Sequence, residues 1–201
     1  MYRFKNVIDM KPYKTLGMFI AVLLLSFGVN AQSYKLNNEA SSLLIDGTSN
    51  IHDWTIEAKN TSGNLTAEFD EGKLDEIDKL EFTVIVESLV SGKSGMDKNT
   101  YKALNTDKYK EITYKLKKVE SIEEVSTKAY KVTTIGSLEI AGTKKDIKLN
   151  FNLKSESNHI ILTGDYQFNM TEYGIEAPTA MFGTIKTGEK VTVKFETQFN
   201  K

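Results

Sequence analysis

From residue 33 onward the sequence predicts an all-β fold, an extended antiparallel barrel of about eight strands interrupted by one short helix. Three observations carry that expectation. Apolar side chains recur at every second position, the period of a strand with one buried face. Short breaks rich in Gly, Ser, Asn or charge separate the periodic stretches. A helical period competes only at residues 96–105.

Taken in order, residues 43–48 form an opening strand. Trp54, Ile56 and Ala58 then match Leu65, Ala67 and Phe69 across Asn60-Thr61-Ser62-Gly63-Asn64, which predicts a hairpin. Over residues 80–87 Leu80, Phe82, Val84 and Val86 share one face, opposite Glu81, Thr83 and Glu87. In the helical stretch Asp97 is placed to cap the start, and Tyr101 and Leu104 lie on one side. Period two resumes with Ile112, Tyr114 and Leu116, then with Tyr130, Val132, Leu138 and Ile140. It continues through Ile147, Leu149, Phe151 and Leu153, through Ile160, Leu162, Tyr166, Phe168 and Met170, and ends with Val191, Val193, Phe195 and Phe199. Turns are expected at 71–73, 141–143, 155–158 and 187–189. Such a sheet hides its apolar face by folding into a sandwich or by closing into a barrel. The long stretches 77–90 and 130–140 favour a tall barrel with a deep slot.

Composition narrows the chemistry. The 201 residues carry 26 basic and 27 acidic side chains, two histidines and no cysteine. Without cysteine there are no disulfides, thiolate metal sites or thiol nucleophiles, and two histidines cannot build a multi-histidine metal centre. The balanced charge offers no phosphate-neutralising surface, so no nucleic-acid partner is expected. At the N-terminus Arg3, Lys5, Lys11 and Lys14 precede an apolar run over 16–29 that ends in Val29-Asn30-Ala31. That pattern reads as a signal peptide over residues 1–31, with a mature domain over 32–201 that is exported to the periplasm or secreted. Loss of those four bases and Asp9 leaves a net charge of about −4.

Several segments together carry a family resemblance. The opening strand, Ser42-Leu43-Leu44-Ile45-Asp46-Gly47-Thr48-Ser49-Asn50-Ile51-His52-Asp53-Trp54, resembles that of the YceI-like family of exported bacterial proteins. Similar segments follow in the same order: Met96-Asp97 to Tyr109-Lys110-Glu111-Ile112, then Gly136-Ser137-Leu138-Glu139-Ile140-Ala141-Gly142-Thr143-Lys144, then Phe168 to Ile175 and Gly188 to Val193. At 110–111 Lys-Glu stands where the family usually has a proline before the isoleucine. The resemblance implies a lipocalin-like barrel whose long cavity holds a long-chain lipid or polyisoprenoid, with no catalytic motif and no cofactor. An apolar chain gains about 0.8 kcal/mol per buried methylene, so such a slot needs no ionic contact to bind.

The expected cavity lining is Trp54, Phe82, Val84, Val86, Leu138, Ile140, Leu149, Phe151, Phe168 and Met170, with His52, Met181 and Phe182 at the mouth. Each has a plainer reading. Trp54 and the inward set serve equally as packing, His52 as a residue fixing a strand end, and His159 as a solvated turn residue. The apolar loop 178–183 is either a lid over an opening or a loop folded onto the core. Asp75 with Glu76 and Glu123 with Glu124 read as solvated turns rather than acid and base pairs. The triplets Asn60-Thr61-Ser62, Asn64-Leu65-Thr66 and Asn169-Met170-Thr171 match the N-glycosylation pattern, with no use expected in a bacterium. Two functions follow: a lipid-binding protein for carriage or storage in the cell envelope, or a structural, interaction or envelope-stress domain with a filled core. The carrier reading leaves room for transient contact with a membrane and for a homodimer.

Overall fold

The computed structural model describes residues 30–201. The charged start and apolar run of the expected signal peptide, residues 1–29, lie outside the described residues. Strands β1 (Asn30–Ser49), β2 (Asp53–Ala58), β3 (Thr61–Asp70), β4 (Lys73–Ile85) and β5 (Leu89–Val90) precede helix α1 (Ser94–Ala103). Strands β6 (Glu111–Ser126), β7 (Ala129–Ile140), β8 (Thr143–Ser155), β9 (His159–Asn169), β10 (Thr179–Ala180) and β11 (Ile185–Asn200) follow. Every pairing is antiparallel, in the order β10-β11-β9-β8-β7-β6-β4-β3-β1-β2-β5. An additional pairing of β11 with β1 closes eight of these strands into a barrel. The expected barrel with one short helix is what the chain forms.

Tight hairpins explain much of the wall. Asp70 pairs with Lys73 and Ile140 with Thr143, leaving the two-residue turns Glu71-Gly72 and Ala141-Gly142. All four turn residues have positive φ (47° and 81°, 48° and 77°), the conformation whose twist suits adjoining strands. The Thr187-Gly188-Glu189 segment, expected as a turn, lies inside β11. There a register shift between Gly47 and Ser49 bulges the β1–β11 ladder.

The main departure from expectation concerns β2 and β3, which do not form a hairpin. β1 is 20 residues long and bent. Its first part pairs Tyr34 with Leu65 of β3, and its last part pairs Gly47 with Trp54 of β2. β2 and β3 therefore run end to end along one edge of β1. Between Asn37 and Ser42 four β1 residues oppose a single β11 residue, which shifts the register by three, and the Asn38 side chain bridges the β2–β3 break. It donates to Lys59 O (3.0 Å) and accepts from Thr61 N (2.7 Å). The break at 59–60 therefore looked like a turn in sequence although the chain continues forward. Helix α1 also starts before the expected position. Asp97 lies in its first turn, where its carboxylate accepts from Ser91 N (2.8 Å) and Ser91 Oγ (2.6 Å) rather than from the helix's own amides.

The two ends of the barrel differ. At the floor end Leu65, Val132, Leu153, Ile160 and Phe199 are almost wholly buried in one cluster. β4 and β6 pair only over Glu81–Ile85 and Glu111–Lys115, so the wall parts below them. Tyr130 closes part of that gap, its hydroxyl accepting from Leu74 N (3.0 Å). At the rim end stand α1, the β1–β2 turn, and the segment from Met170 to β11. A 3-10 turn, Met170–Tyr173, enters this segment with Asn169 N donating to Glu172 Oε1 (2.9 Å), and Gly174 ends it at φ 69°. Asp75, Glu76, Glu123 and Glu124 are exposed, but on β4 and β6 rather than in turns.

Candidate functional site

Between the packed floor and the rim lies a cavity of about 370 Å³, measured as the space open to the centre of a water molecule. One such water needs only about 10–15 Å³ on this measure, so the lumen is a chamber rather than a packing defect. Inward positions of seven of the eight barrel strands, all but β3, build its wall, as the two-residue period requires. From β4 come Leu80, Phe82 and Val84; from β7 Leu138 and Ile140; from β8 Ile147, Leu149 and Phe151. Leu162, Tyr166 and Phe168 of β9, with Met170 just beyond, and Val191, Val193, Phe195 and Phe199 of β11 continue the wall.

Three aromatic rings reach this lumen without filling it because glycines face them. A Cβ on Gly164 would stand 2.8 Å from Phe195 Cζ, and one on Gly47 would stand 2.6 Å from Trp54 Cε2. One on Gly136 would run into the Tyr114 ring. Each ring therefore lies against the wall over a missing side chain. Trp54 is anchored there by Nε1 donating to Thr48 O (2.9 Å), and Tyr114 by a hydroxyl bond to Thr134 Oγ1 (2.9 Å). Burial pushes the Tyr114 phenol above its ordinary pKa of 10.0. Tyr173 is buried behind the wall, its hydroxyl beside that of Tyr166 without a well-formed hydrogen bond, and burial raises its pKa strongly.

At the rim the lining turns polar. His52, Lys93, Asn99, Thr100, Thr179 and Thr187 stand there, and among the described residues Lys93 is the single charged side chain of the lining and no carboxylate joins it. The His52 ring is exposed, with Nδ1 2.8 Å from Asp53 O. α1 closes one side of the mouth with Met96, Asn99, Thr100, Ala103 and Leu104, a single helical face. Tyr101, on another side of the helix, ties it down by donating to Glu87 O (3.0 Å) and Leu89 O (2.9 Å).

Of the residues expected along the cavity, Trp54, Phe82, Val84, Leu138, Ile140, Leu149, Phe151, Phe168 and Met170 line it, as does His52 at the mouth. Val86 does not. β4 ends at Ile85 and a 3-10 turn, Val86–Ser88, takes over, so Val86 is buried outside the lumen with its amide donating to Lys110 O (2.9 Å). Met181 and Phe182 do not line the mouth either. Pro178, Thr179 and Ala180 face the cavity, while the next two residues turn outward into solvent, Phe182 completely. His159 begins β9 at the floor end, away from His52. Sequence reasoning missed the contributions of α1, of Leu43 and Ile45 on β1, and of Ile175 and Ile185. The alternation at 43 and 45 and the three- and four-residue spacing of Met96, Asn99, Thr100 and Ala103 were readable signals for some of them.

Comparison with known proteins agrees with this architecture. The crystal structure of BcnA from Burkholderia cenocepacia superposes with a TM-score of 0.63 at 15% identity, covering 81% of this chain and 98% of that one. A polyisoprenoid-binding domain from Saccharophagus degradans, implicated in plant cell wall breakdown, gives 0.65 at 15% identity, covering 83% and 97%. The Campylobacter jejuni YCEI protein gives 0.55 at 20% identity, covering 71% and 82%. A search of curated proteins finds no match. The YceI-like domain model matches residues 34–199, from the first strand of the barrel wall to its closing strand, and the chain belongs to that family.

Proposed function

We propose that the barrel binds one long-chain lipid or polyisoprenoid, its apolar chain in the lumen and its head group at the mouth, for carriage or storage in the cell envelope after export to the periplasm or beyond. The observation that carries the reading is the lumen itself: about 370 Å³, walled by aliphatic and aromatic side chains, with its polar residues gathered mainly at one end. That volume lies within the range of small-molecule sites, which are about 300–1,000 Å³. At about 0.8 kcal/mol per buried methylene, ten methylenes offer roughly 8 kcal/mol before the cost of ordering the ligand. Lys93, Asn99 and Thr100 supply hydrogen-bond donors to a head group. The likeness to a polyisoprenoid-binding domain supports the choice of ligand class. A binding role rather than catalysis fits a lining whose only titratable groups, tyrosines aside, are His52 and Lys93. The open lumen counts against a filled-core module.

The test is an organic extract of the purified mature protein read by mass spectrometry, with Trp54 emission followed during titration with polyprenyl lipids. A co-purifying lipid and a saturable response are expected. Neither appearing would sink the proposal.

A further inference from the structure

Four large apolar side chains among the described residues stand exposed, Ile51, Val125, Met181 and Phe182, and three of them crown the rim. Met181 and Phe182 form the tip of the β10–β11 hairpin, whose last pair is Ala180 with Ile185. Ile51 tops the neighbouring β1–β2 turn. Asn50 locks the two together, donating from Nδ2 to Thr184 O (2.9 Å) and accepting at Oδ1 from Lys186 N (2.9 Å). The tip's backbone is strained: Met181 and Phe182 have φ of 51° and 56°, ahead of Gly183 at 87°. Two overlapping turns hold it, Gly183 N to Ala180 O (3.1 Å) and Thr184 N to Met181 O (3.2 Å). Asn and Gly suit such positions. Here two bulky apolar residues occupy them, and nothing in the described chain covers their side chains. Strain and exposure at one spot, on the segment whose preceding residues line the cavity, suggest a role outside the folded chain.

We infer that Ile51, Met181 and Phe182 form a docking tip that enters the interfacial layer of a phospholipid bilayer and seats the cavity mouth on it. The inference rests on the lipid-binding reading, because it gives the ligand a path between bilayer and lumen that avoids water. A phenylalanine and two flexible or branched aliphatic side chains are the chemistry that partitions into the headgroup and acyl boundary. Charge gives a head group one partner: the mouth lining holds Lys93 and no carboxylate, so a lipid phosphate drawn to the opening meets a cation there. Three side chains cannot cover the roughly 1,200 Å² that a stable protein interface needs, which favours a lipid surface over a second copy.

The test replaces the tip by the residues its backbone prefers, Met181→Asn with Phe182→Gly, so that folding is retained. Partitioning onto vesicles of phosphatidylethanolamine and phosphatidylglycerol is measured by co-sedimentation, and cavity binding by Trp54 emission with farnesol in the absence of vesicles. The expected result is at least a tenfold loss of vesicle partitioning, with Tm and farnesol binding unchanged. Equal partitioning of both proteins overturns the inference. So does a concentration-dependent dimer in analytical ultracentrifugation that the double variant abolishes, since the tip then belongs to a second copy. Vesicle binding that depends on the tip in a protein taking up no farnesol would leave the docking tip standing and remove the cavity reading.

Discussion

Gly164 is the most direct test of how the wall keeps its lumen open. It sits in β9 between Phe151 of β8 and Phe195 of β11, paired with both. A methyl group there would meet Phe195 Cζ at 2.8 Å, Asn150 O at 3.0 Å and Phe151 Cβ at 3.2 Å, against an ordinary contact distance of 3.4 Å or more. The backbone oxygen cannot withdraw without moving β8, so most of the adjustment falls on the Phe195 ring. Overpacking of this kind costs about 1–3 kcal/mol. Alanine in place of a strand glycine returns about 0.5–1 kcal/mol, so Gly164→Ala should destabilise by about 1 kcal/mol net, and by no more than about 2.5 kcal/mol. At about 2–4 °C per kcal/mol for a domain this size, Tm should fall by roughly 2–4 °C, and by about 10 °C at most. Urea unfolding of Gly164→Ala, Phe195→Leu and the double variant closes a cycle in which shortening the ring relieves about 1 kcal/mol of the cost. A neutral or stabilising Gly164→Ala would refute the reasoning, and an equal cost in both backgrounds would show that the ring is not what resists.

Leu138→Phe adds bulk toward the lumen without charge. With an open chamber it should leave urea stability within about 1 kcal/mol and reduce lipid uptake, whereas a loss of about 1–3 kcal/mol would indicate a filled core. Tyr173→Phe removes a buried hydroxyl that has no well-formed partner, so Tm should hold or rise; a loss above about 1 kcal/mol would mean that the hydroxyl is bonded to Tyr166 after all. On the outer face Asp46 takes hydrogen bonds from Lys194 (2.8 Å) and Thr55 (2.6 Å), which hold its carboxyl below the ordinary 3.8. A depressed carboxylate stabilises above its unfolded pKa and loses that contribution as pH falls through its folded value. Asp46→Asn should therefore lower Tm slightly at pH 7, and the difference from wild type should vanish as pH drops below 3.8. A gap that persists in acid would assign the effect to packing.

How much of this was legible follows from what a two-residue period can encode. It records which face of a strand is apolar, so Phe82, Val84, Leu138, Ile140, Leu149, Phe151, Phe168 and Met170 could be placed along one lumen before any coordinates. It does not record partners. Trp54, Ile56 and Ala58 have the same phase whether they pair with β3 or with the far half of β1, and only the bulge at 38–41 decides between them. Nor does it record where a strand stops: Val86 continues the alternation of Phe82 and Val84, yet the backbone has already turned. In the 178–183 loop an apolar run signalled importance but not direction, because the positive φ of Met181 and Phe182 sends their side chains away from the lumen.

The closure of the wall also sets the order in which the protein can assemble. The seam joins Leu43 to Phe195 and Gly47 to Val191, residues far apart in sequence, whereas most other pairings are between near neighbours along the chain. Loop-closure entropy makes such distant pairings slow, so the ladder from β6 through β9 can form early while β1 and β9 each keep an unpaired edge. Until β11 docks between them, the same apolar side chains that later enclose the lumen face water. A chain stalled at that stage would be prone to aggregate, so the folding bottleneck and the aggregation risk both sit on the strand that contributes Val191, Val193, Phe195 and Phe199 to the finished cavity.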